Sequence, residues 1–229
     1  MFDYTDLYDP DEGYDSIISD ETLRYIKNYV KNKSTILDIG CATGRISQSF
    51  ASSNEIHLLD ISEKYLNIAS KRIPNAHIYL SNFLDLEINS KFDNIFILNN
   101  IQEQSDLKIF LNKAIDLLSP EGKLFISYPN SQSLHRIAGV IENKLSDLNE
   151  VSTKSSGLGT LSMINELELL EIIAKKNLKL ISEKGICLKP YKNLTMESLE
   201  KEIVDKLNRS VDMFENYSAI NLKIFKQIR

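Results

Sequence analysis

Short apolar runs alternate along the chain with longer segments in which apolar residues recur every three or four positions. The apolar runs predict strands at 35–39, 56–60, 77–81, 93–98 and 123–128. The periodic segments predict helices at 20–32, 44–51, 62–72, 105–118 and 133–145. Four of these strands are apolar throughout, as expected when helices cover both faces of a sheet. The alternation therefore predicts an α/β fold with a parallel sheet and right-handed crossovers.

The pattern changes in the second half of the chain. Residues 146–162 are polar and small and predict a loop near the functional site. Beyond it we predict a helix at 165–177 capped by Asn165, a strand at 178–188, a charged helix at 195–213 and an alternating strand at 218–226. Near the start of the chain, Asp20 is the predicted cap of the first helix.

The most informative segment is the turn after the first predicted strand, where Asp38 is followed by Gly40, Cys41, Ala42 and Gly44. A glycine permits positive φ, and small residues let the backbone approach a ligand. Asp60 ends the next strand, twenty positions after Gly40. An acid at that place accepts hydrogen bonds from ribose hydroxyls in nucleoside-binding α/β folds. The segment predicts a ligand with an adenosine-like end.

The spacing of the glycines argues against a dinucleotide. The dinucleotide fingerprint places its last glycine five positions after the first, whereas here Gly44 comes one residue early and Arg45 occupies the expected place. The carboxylate of Asp38 would also repel a pyrophosphate. Both features favour a positively charged nucleoside such as S-adenosylmethionine over NAD, and so disfavour an NAD-dependent oxidoreductase.

Five segments resemble, in order, motifs of the class I S-adenosylmethionine-dependent methyltransferases, in particular bacterial small-molecule enzymes with type 11 or type 12 methyltransferase domains. The segments are 36–47, 58–62, 81–85, 92–100 and 117–126. The resemblance implies a Rossmann-like fold with a seven-stranded, mostly parallel sheet, helices on both faces and an antiparallel last strand.

The resemblance also implies a cofactor, S-adenosylmethionine, and its product, S-adenosylhomocysteine. Backbone around Gly40 would approach the methionine part, and Asp60 would hold the ribose. Asn82 and Phe83 would meet the adenine edge. The complete predicted set is Asp38, Gly40, Cys41, Ala42, Gly44, Asp60, Ile61, Asn82, Phe83 and Asn99.

Candidate residues for the methyl acceptor are less sharply defined. His135 is the candidate general base and Glu103 a second one, although each is also an ordinary helix residue by type. The candidate substrate-binding residues are Tyr4, Tyr8, Tyr14, Asn100, Asn130 and Arg136. The three tyrosines form a predicted lid or simply pack at the surface, and Arg136 holds an anionic acceptor or is a solvated helix residue.

Two departures from related quinone-type O-methyltransferases bear on the mechanism. Gln104 replaces a histidine after the fourth strand, and Thr160 replaces one in the late loop. A metal-assisted mechanism or a histidine base from either place is therefore not expected. If His135 is not the base, the acceptor needs none.

Composition narrows the function further. The chain has 229 residues, a net charge of −5 and a pI of about 5.4, which disfavours a nucleic-acid partner. Its first residues do not predict a signal peptide, and no apolar run suits a membrane span. Two cysteines predict no disulfide framework and favour the cytoplasm. The three histidines look scattered, so we predict no metal site.

The sequence therefore predicts one methyltransferase domain over 1–229, with a helical lid segment at 1–33, a cofactor-binding core at 34–130 and a substrate-side insertion with the last strands at 131–229. The predicted reaction is methyl transfer to a small molecule. A short resemblance of 185–190 to methyltransferases of surface-carbohydrate pathways favours O-methylation of a sugar or a nucleotide-activated polysaccharide precursor, such as one for a capsule. An RNA or protein methyltransferase and a non-catalytic S-adenosylmethionine-binding module are the alternatives, and the oligomeric state is left open.

Overall fold

A twisted sheet of seven strands forms the centre of the computed structural model, which describes residues 8–228. The strands are β1 Thr35–Ile39, β2 Glu55–Asp60, β3 His77–Leu80, β4 Phe92–Leu98, β5 Leu118–Pro129, β6 Leu178–Ile186 and β7 Ile220–Gln227. Their order is β3-β2-β1-β4-β5-β7-β6. The strands from β3 to β5 are parallel neighbours, whereas β7 runs antiparallel to β5 and β6. The predicted fold class is confirmed.

Eight α-helices accompany the sheet over the described part of the chain. They are α1 Gly13–Ile26, α2 Glu63–Arg72, α3 Leu107–Asp116, α4 Leu134–Ile141, α5 Thr153–Gly157, α6 Glu166–Ala174, α7 Asn193–Glu197 and α8 Lys201–Arg209. Ser62, Asp106 and Asn165 cap α2, α3 and α6 by accepting backbone N–H groups of the first turn. The predicted cap at Asn165 is confirmed.

The sheet separates two apolar clusters. Leu37 and Ile95 belong to one cluster, and Ile36 and Phe96 belong to the other. Successive side chains of a strand point to opposite faces, so adjacent residues of β1 and β4 are divided between the two clusters. Burial on both faces explains why these strands are apolar throughout.

Two predicted helices differ from the structure. Instead of a helix at 44–51, a single 3-10 turn occupies Ser47–Phe50, because Ala42 and Gly44 have positive φ and turn the chain first. The first helix covers Gly13–Ile26 instead of 20–32, so Asp20 lies inside it and is not its cap. Asp20 accepts a hydrogen bond from Arg45 at 2.8 Å instead.

Two further predictions are wrong: one predicted helix is divided in two, and one predicted loop contains a short helix. The expected charged helix at 195–213 is divided into α7 and α8, with Leu199 packing against the core between them. The polar segment 146–162 contains the short helix α5, capped by Ser152. Across residues 8–228, no helix combines the length and the apolar character needed to cross a membrane.

Candidate active site

A cavity of about 370 Å³ opens at the carboxyl ends of β1, β2 and β4. Open α/β sheets bind ligands at this edge, where the order of the strands reverses. Two further parts of the chain complete the walls. The N-terminal segment contributes Tyr8, Pro10, Asp15, Ile18 and Ser19, and the segment around α5 contributes Lys154, Ser155, Leu158 and Thr160.

The turn after β1 is held against β2 by backbone hydrogen bonds. The N–H groups of Gly40 and Cys41 both donate to the carbonyl of Leu59, at 2.8 and 3.0 Å. Gly40 has a φ of +71°, and a Cβ placed on it would clash with Nδ2 of Asn100. Glycine adopts this φ without strain, and any other residue would also require the Asn100 side chain to move.

Asp60 fastens the same turn from the other side. Its carboxylate accepts hydrogen bonds from the N–H groups of Ala42 and Ser62, both at 2.9 Å. The residue is 1% exposed and lines the cavity, so its carboxylate faces the place where a ribose is expected. Ala42 adopts a φ of +46°, a conformation that L-residues rarely take.

Two more acids line the cavity with raised pKa values. Asp38 is buried and accepts a hydrogen bond from Oγ of Ser47 at 2.6 Å, yet burial raises its pKa to about 7. Burial and the nearby charge of Asp60 raise the pKa of Glu103 to about 8. Burial therefore disfavours the charged form of both carboxyl groups, and a cation bound beside them would favour it.

Three buried polar side-chain atoms of cavity-lining residues have no partner in the described part of the chain: two acceptor oxygens and one donor, Nε of Arg45. Oδ1 of Asn100 and Oε1 of Gln102 are buried and find no donor among the residues that the structure describes. The amide groups of these two side chains donate to the carbonyls of Ile39 and Asn99. Unsatisfied acceptors beside two near-neutral acids suit a ligand that brings N–H donors and positive charge. The amino and sulfonium groups of S-adenosylmethionine meet both requirements.

Ile61, Asn82 and Phe83 line the cavity beyond Asp60, at the predicted adenine end. Phe83 is packed edge-on to Phe110, with ring centroids 5.1 Å apart. Asn82 turns its Oδ1 back to the N–H of Leu84 at 2.8 Å. This wall is thus apolar, with its polar atoms already satisfied within the loop.

Cys41 and Asn99 also line the cavity, whereas Gly44 does not. A Cβ on Gly44 would lie 3.3 Å from Cβ of Ala69, so this glycine allows the turn to pack closely on α2. Asn99 has a φ of +59°, and its Oδ1 accepts from Oγ of Ser127 at 3.1 Å. A cofactor contact by Gly44 stays a prediction.

Three of the residues predicted to act on or bind the methyl acceptor lie at the cavity: Tyr8, Asn100 and Glu103. Burial, followed by the charge of Asp15, raises the pKa of Tyr8, so its hydroxyl stays protonated. Tyr4 lies outside the described residues. The cavity is therefore covered by part of the predicted N-terminal lid, through Tyr8 and the residues after it.

The other four predicted residues are not brought to the cavity. Tyr14 is fully buried in the core. Asn130 donates to the carbonyls of Asn216 and Ser218 at 2.9 and 3.0 Å, which fixes the start of β7. Arg136 donates to the carbonyls of Leu148 and Glu150. Asn130 and Arg136 therefore hold loops in place and do not line the cavity.

His135 also lies away from the cavity, on the first turn of α4. Its Nδ1 is buried, with no partner among residues 8–228. Burial and the charges of Lys189 and Arg136 lower its pKa to about 3. This placement gives no support to the predicted role of His135 as a general base.

Some cavity residues were missed by the reading of the sequence. Arg45 lines the cavity, and its guanidinium donates to Asp11 at 3.2 Å and to Asp20 at 2.8 Å. Its place directly after Gly44 was the available signal. Gln102 and the segment around α5 carried no pattern that separates a cavity wall from an ordinary loop.

The prediction that the three histidines are scattered is wrong for two of them. His57 and His77 are paired across β2 and β3, and their rings stack with centroids 4.3 Å apart. They lie at the opposite end of the sheet from the cavity, because the strands begin there.

Comparison with known proteins gives a consistent result. Residues 30–185 match a family described as a methyltransferase domain. YqeM of Bacillus subtilis, which is classed as a methyltransferase, is 24% identical over 169 residues, covering 67% of this chain and 68% of YqeM.

Solved structures share the fold at low sequence identity. The 1,6-didemethyltoxoflavin N1-methyltransferase of Burkholderia thailandensis, crystallised with its substrate and S-adenosylhomocysteine, has a TM-score of 0.65 at 13% identity, covering 94% of this chain and 80% of its own. The [4+2]-cyclase SpnF has a TM-score of 0.66 at 13% identity, covering 96% and 85%. These structures bear on the fold of the chain alone.

Proposed function

Because the chain belongs to the methyltransferase domain family, which confirms the enzyme class expected from its motifs, we propose that the cavity binds S-adenosylmethionine and transfers its methyl group to a small molecule. The observation that carries this proposal is the pair of unpartnered acceptor oxygens on Asn100 and Gln102, which lie in one cavity with Asp38 and Glu103, two acids of raised pKa. A cationic ligand with an amino group can donate to these oxygens and favours both carboxylates, and a pyrophosphate does neither.

The lining of the cavity offers a surface to each part of the cofactor. The turn from Gly40 to Ala42 receives the methionine part, with Asn99 and Asn100 beside it. Asp60 holds the ribose hydroxyls while it keeps the N–H groups of Ala42 and Ser62 satisfied. The apolar wall of Ile61 and Phe83 takes the adenine.

In the proposed methyl transfer, the protein itself forms no covalent bond with the cofactor or the acceptor. S-adenosylmethionine supplies, when bound, a methyl group on a sulfonium that is already a good leaving group. The residues of the chain orient the two reactants and exclude water. In well-oriented reactions, proximity and orientation lower the activation barrier by an amount on the order of 7–11 kcal/mol. The N-terminal segment and the segment around α5 exclude water by covering the cavity.

Glu103 is the best-placed base for an acceptor proton. It lines the cavity, and its pKa of about 8 lies near neutral pH, where a general base is most effective. A positive charge bound nearby favours its carboxylate form. Glu103 then accepts the proton of an acceptor hydroxyl or amine as the bond to carbon forms.

The acceptor class that we propose is a hydroxyl-bearing small molecule, such as a sugar or a nucleotide-activated polysaccharide precursor. Polar groups at the covering segments support it: Ser19 and Ser155 offer hydroxyls, and Lys154 offers a positive charge for a phosphate. The segment 185–190 that first suggested a sugar does not support it further, since Ile186, Cys187 and Leu188 are buried in the core.

We treat the cover, the core and the later strands as one catalytic unit acting in the cytoplasm. The single sheet that joins β1 to β7 supports one domain. Cys41 and Cys187 are both free and buried, which suits a reducing compartment.

The test combines binding with turnover. Calorimetry should show one S-adenosylmethionine bound per chain and no binding of NAD. Labelled methyl transfer to a panel of sugars, nucleotide sugars and amines should then identify the acceptor. With that acceptor, Glu103→Gln should lower the kcat of methyl transfer by a factor of about 10²–10⁴, with little change in cofactor affinity. The matched control is Glu87→Gln, an exposed carboxylate outside the cavity.

Two results would contradict the proposal. Cofactor binding without any methyl transfer would favour a binding module or another reaction, and the shared fold of a [4+2]-cyclase illustrates that possibility. An unchanged kcat in Glu103→Gln would remove Glu103 as the base while leaving the enzyme class intact.

A further inference from the structure

A cluster of metal-binding side chains lies at the amino ends of β2 and β3, away from the cavity. Glu55 and His57 are two positions apart on β2 and therefore share one face of the sheet. His77 is the direct partner of His57 on β3, so it projects on that same face. One carboxylate and two imidazoles meet because of strand register alone.

The geometry of the three side chains is close to that of a metal site. Oε1 of Glu55 lies 3.0 Å from Nε2 of His57 and 3.2 Å from Nε2 of His77. One donor atom from each residue lies within 4.8 Å of the other two. In a tetrahedral zinc site with bonds of about 2.0–2.1 Å, neighbouring ligand atoms are about 3.3 Å apart. The two separations that involve Oε1 of Glu55 are already close to this value, and the third is no more than 4.8 Å.

The surroundings of His57 resemble those of a metal ligand. Its Nδ1 lies 2.9 Å from the hydroxyl of Tyr79, which gives the ring an outer hydrogen-bond partner that holds its orientation. The edge of the ring meets Phe92, with centroids 4.9 Å apart.

The position is also open to an ion. Glu55 and His77 are half-exposed, with side-chain exposures of 54% each, while His57 is buried beneath them. A metal ion can therefore enter from solvent and keep water as a fourth ligand. Imidazole and carboxylate together suit zinc and neighbouring transition metals better than calcium or magnesium.

We propose that Glu55, His57 and His77 form a zinc site that fastens the edge strand β3 to β2. Strand β3 has a neighbour on one side alone, and its residues Ile78 and Leu80 are exposed. Directly after β3, Asn82 and Phe83 reach the cavity. A metal clasp at the start of β3 would stabilise the strand that carries them.

The experiment uses the whole protein, first stripped with a chelator and then titrated with zinc chloride. We expect calorimetry to show one zinc bound per chain, and thermal unfolding to shift upward as zinc is added. Magnesium should produce neither effect. Cobalt in place of zinc should give the visible absorption of a four-coordinate ion.

Three variants test the ligands. His77→Gln should weaken zinc binding at least tenfold and remove the thermal shift. Because His77 is exposed, we expect the variant to fold. Tyr79→Phe should weaken binding by about 10–100-fold, since it removes the outer partner of His57. His135→Asn is the control, because it removes the one histidine outside the cluster and should leave zinc binding unchanged.

Wild-type protein that binds no zinc at one-to-one stoichiometry would overturn the proposal. Equal affinity of wild-type protein and His77→Gln would overturn it as well. Either result is independent of methyl transfer, because the cluster and the cavity lie at opposite ends of β2.

Discussion

Two walls of the same cavity are held by different forces. The wall formed by the Gly40 turn is fixed by backbone hydrogen bonds to Leu59 and by the buried carboxylate of Asp60. In the opposite cover, the loop before α1 is tied to the core by ion pairs of Asp11 with Arg45 and Arg72, whereas α1 itself is packed into the core through Tyr14 and Ile18. Buried hydrogen bonds are costly to break, whereas ion pairs that solvent partly reaches contribute less and weaken with salt.

The difference suggests how the work is divided between the walls. The wall at the Gly40 turn is preformed, because its backbone is fixed by hydrogen bonds to Leu59 and Asp60. We expect the loop before α1 to open at lower cost, and so to admit the acceptor and release products. Substitutions in the first wall should therefore damage cofactor binding, and those in the cover should mainly change the entry of the acceptor.

The largest effect is expected for Gly40→Ala. The substitution places a residue with a Cβ at a positive φ, and the new Cβ forces the side chain of Asn100 to move. We expect a loss of at least about 2 kcal/mol in unfolding free energy and loss of S-adenosylmethionine binding, measured by denaturant unfolding and calorimetry.

A control exists in the same turn. Ala42 has a φ of +46°, so Ala42→Gly should relax strain and leave the unfolding free energy equal or higher, with cofactor still bound. Normal cofactor affinity in Gly40→Ala would show that the wall is softer than we infer.

The next effect concerns Asp60→Ala. It removes the acceptor of two backbone N–H groups, those of Ala42 and Ser62, together with the predicted ribose contact. We expect cofactor affinity to fall by about 10²-fold or more by calorimetry, since a buried charge-assisted hydrogen bond contributes about 1.5–3 kcal/mol. Asp85→Ala, at an exposed acid beyond β3, should bind normally.

A third prediction concerns pH. The pKa values of Asp38 and Glu103 are raised to about 7 and about 8 in the folded protein, so between pH 4 and pH 8 these two groups hold more protons in the folded state than in the unfolded state. His135 acts in the opposite direction below its ordinary pKa of 6.5, since its pKa is lowered to about 3 in the folded protein. The unfolding free energy of cofactor-free protein should therefore fall most clearly as pH rises from about 6.5 to about 8, by an amount on the order of a few kcal/mol. Asp38→Asn should flatten the curve, as measured by urea unfolding at several pH values.

The same two acids predict proton release on binding. S-adenosylmethionine carries a positive sulfonium, which favours both carboxylates, so binding near pH 7 should release protons. Calorimetry in buffers of different ionisation enthalpy measures that number. S-adenosylhomocysteine lacks the sulfonium charge and should release fewer, and equal release by both compounds would contradict the assignment.

The smallest effect is expected in the cover. Asp11→Asn breaks the ion pairs with Arg45 and Arg72, and should cost about 1 kcal/mol or less. Cofactor affinity should stay constant, while KM for the acceptor should change and lose its salt dependence. Glu12→Gln, at an exposed neighbour, is the control, and a large fall in cofactor affinity in Asp11→Asn would remove the distinction between the walls.

Local pattern was sufficient for the fold and for the position of the Gly40 turn at the cavity. The apolar strands, the Gly40 turn and the acid at Asp60 each depend on residues close together in the chain, and β1 occupies the predicted residues. Helix ends were harder, since the first helix begins seven residues before its predicted start and Asp20 pairs with Arg45 instead of capping it.

Residue type alone did not decide the acceptor side. His135 and Arg136 have side chains that serve in many sites, but α4 directs one into a buried position and the other towards the carbonyls of Leu148 and Glu150. Glu103 has an equally ordinary side chain, and it lines the cavity because it follows β4. The placement of each depends on how its helix packs, which no local pattern records.

By itself the sequence determined the order of strands and helices, the glycine-bearing turn and the chemistry of the cofactor wall, because these follow from short-range periodicity and steric limits on φ. Only the tertiary structure decided which polar side chains reach the cavity, which of them hold loops, and that His57 and His77 lie side by side. Those outcomes depend on strand register and on the packing of helices against the sheet, where residues far apart in the chain meet.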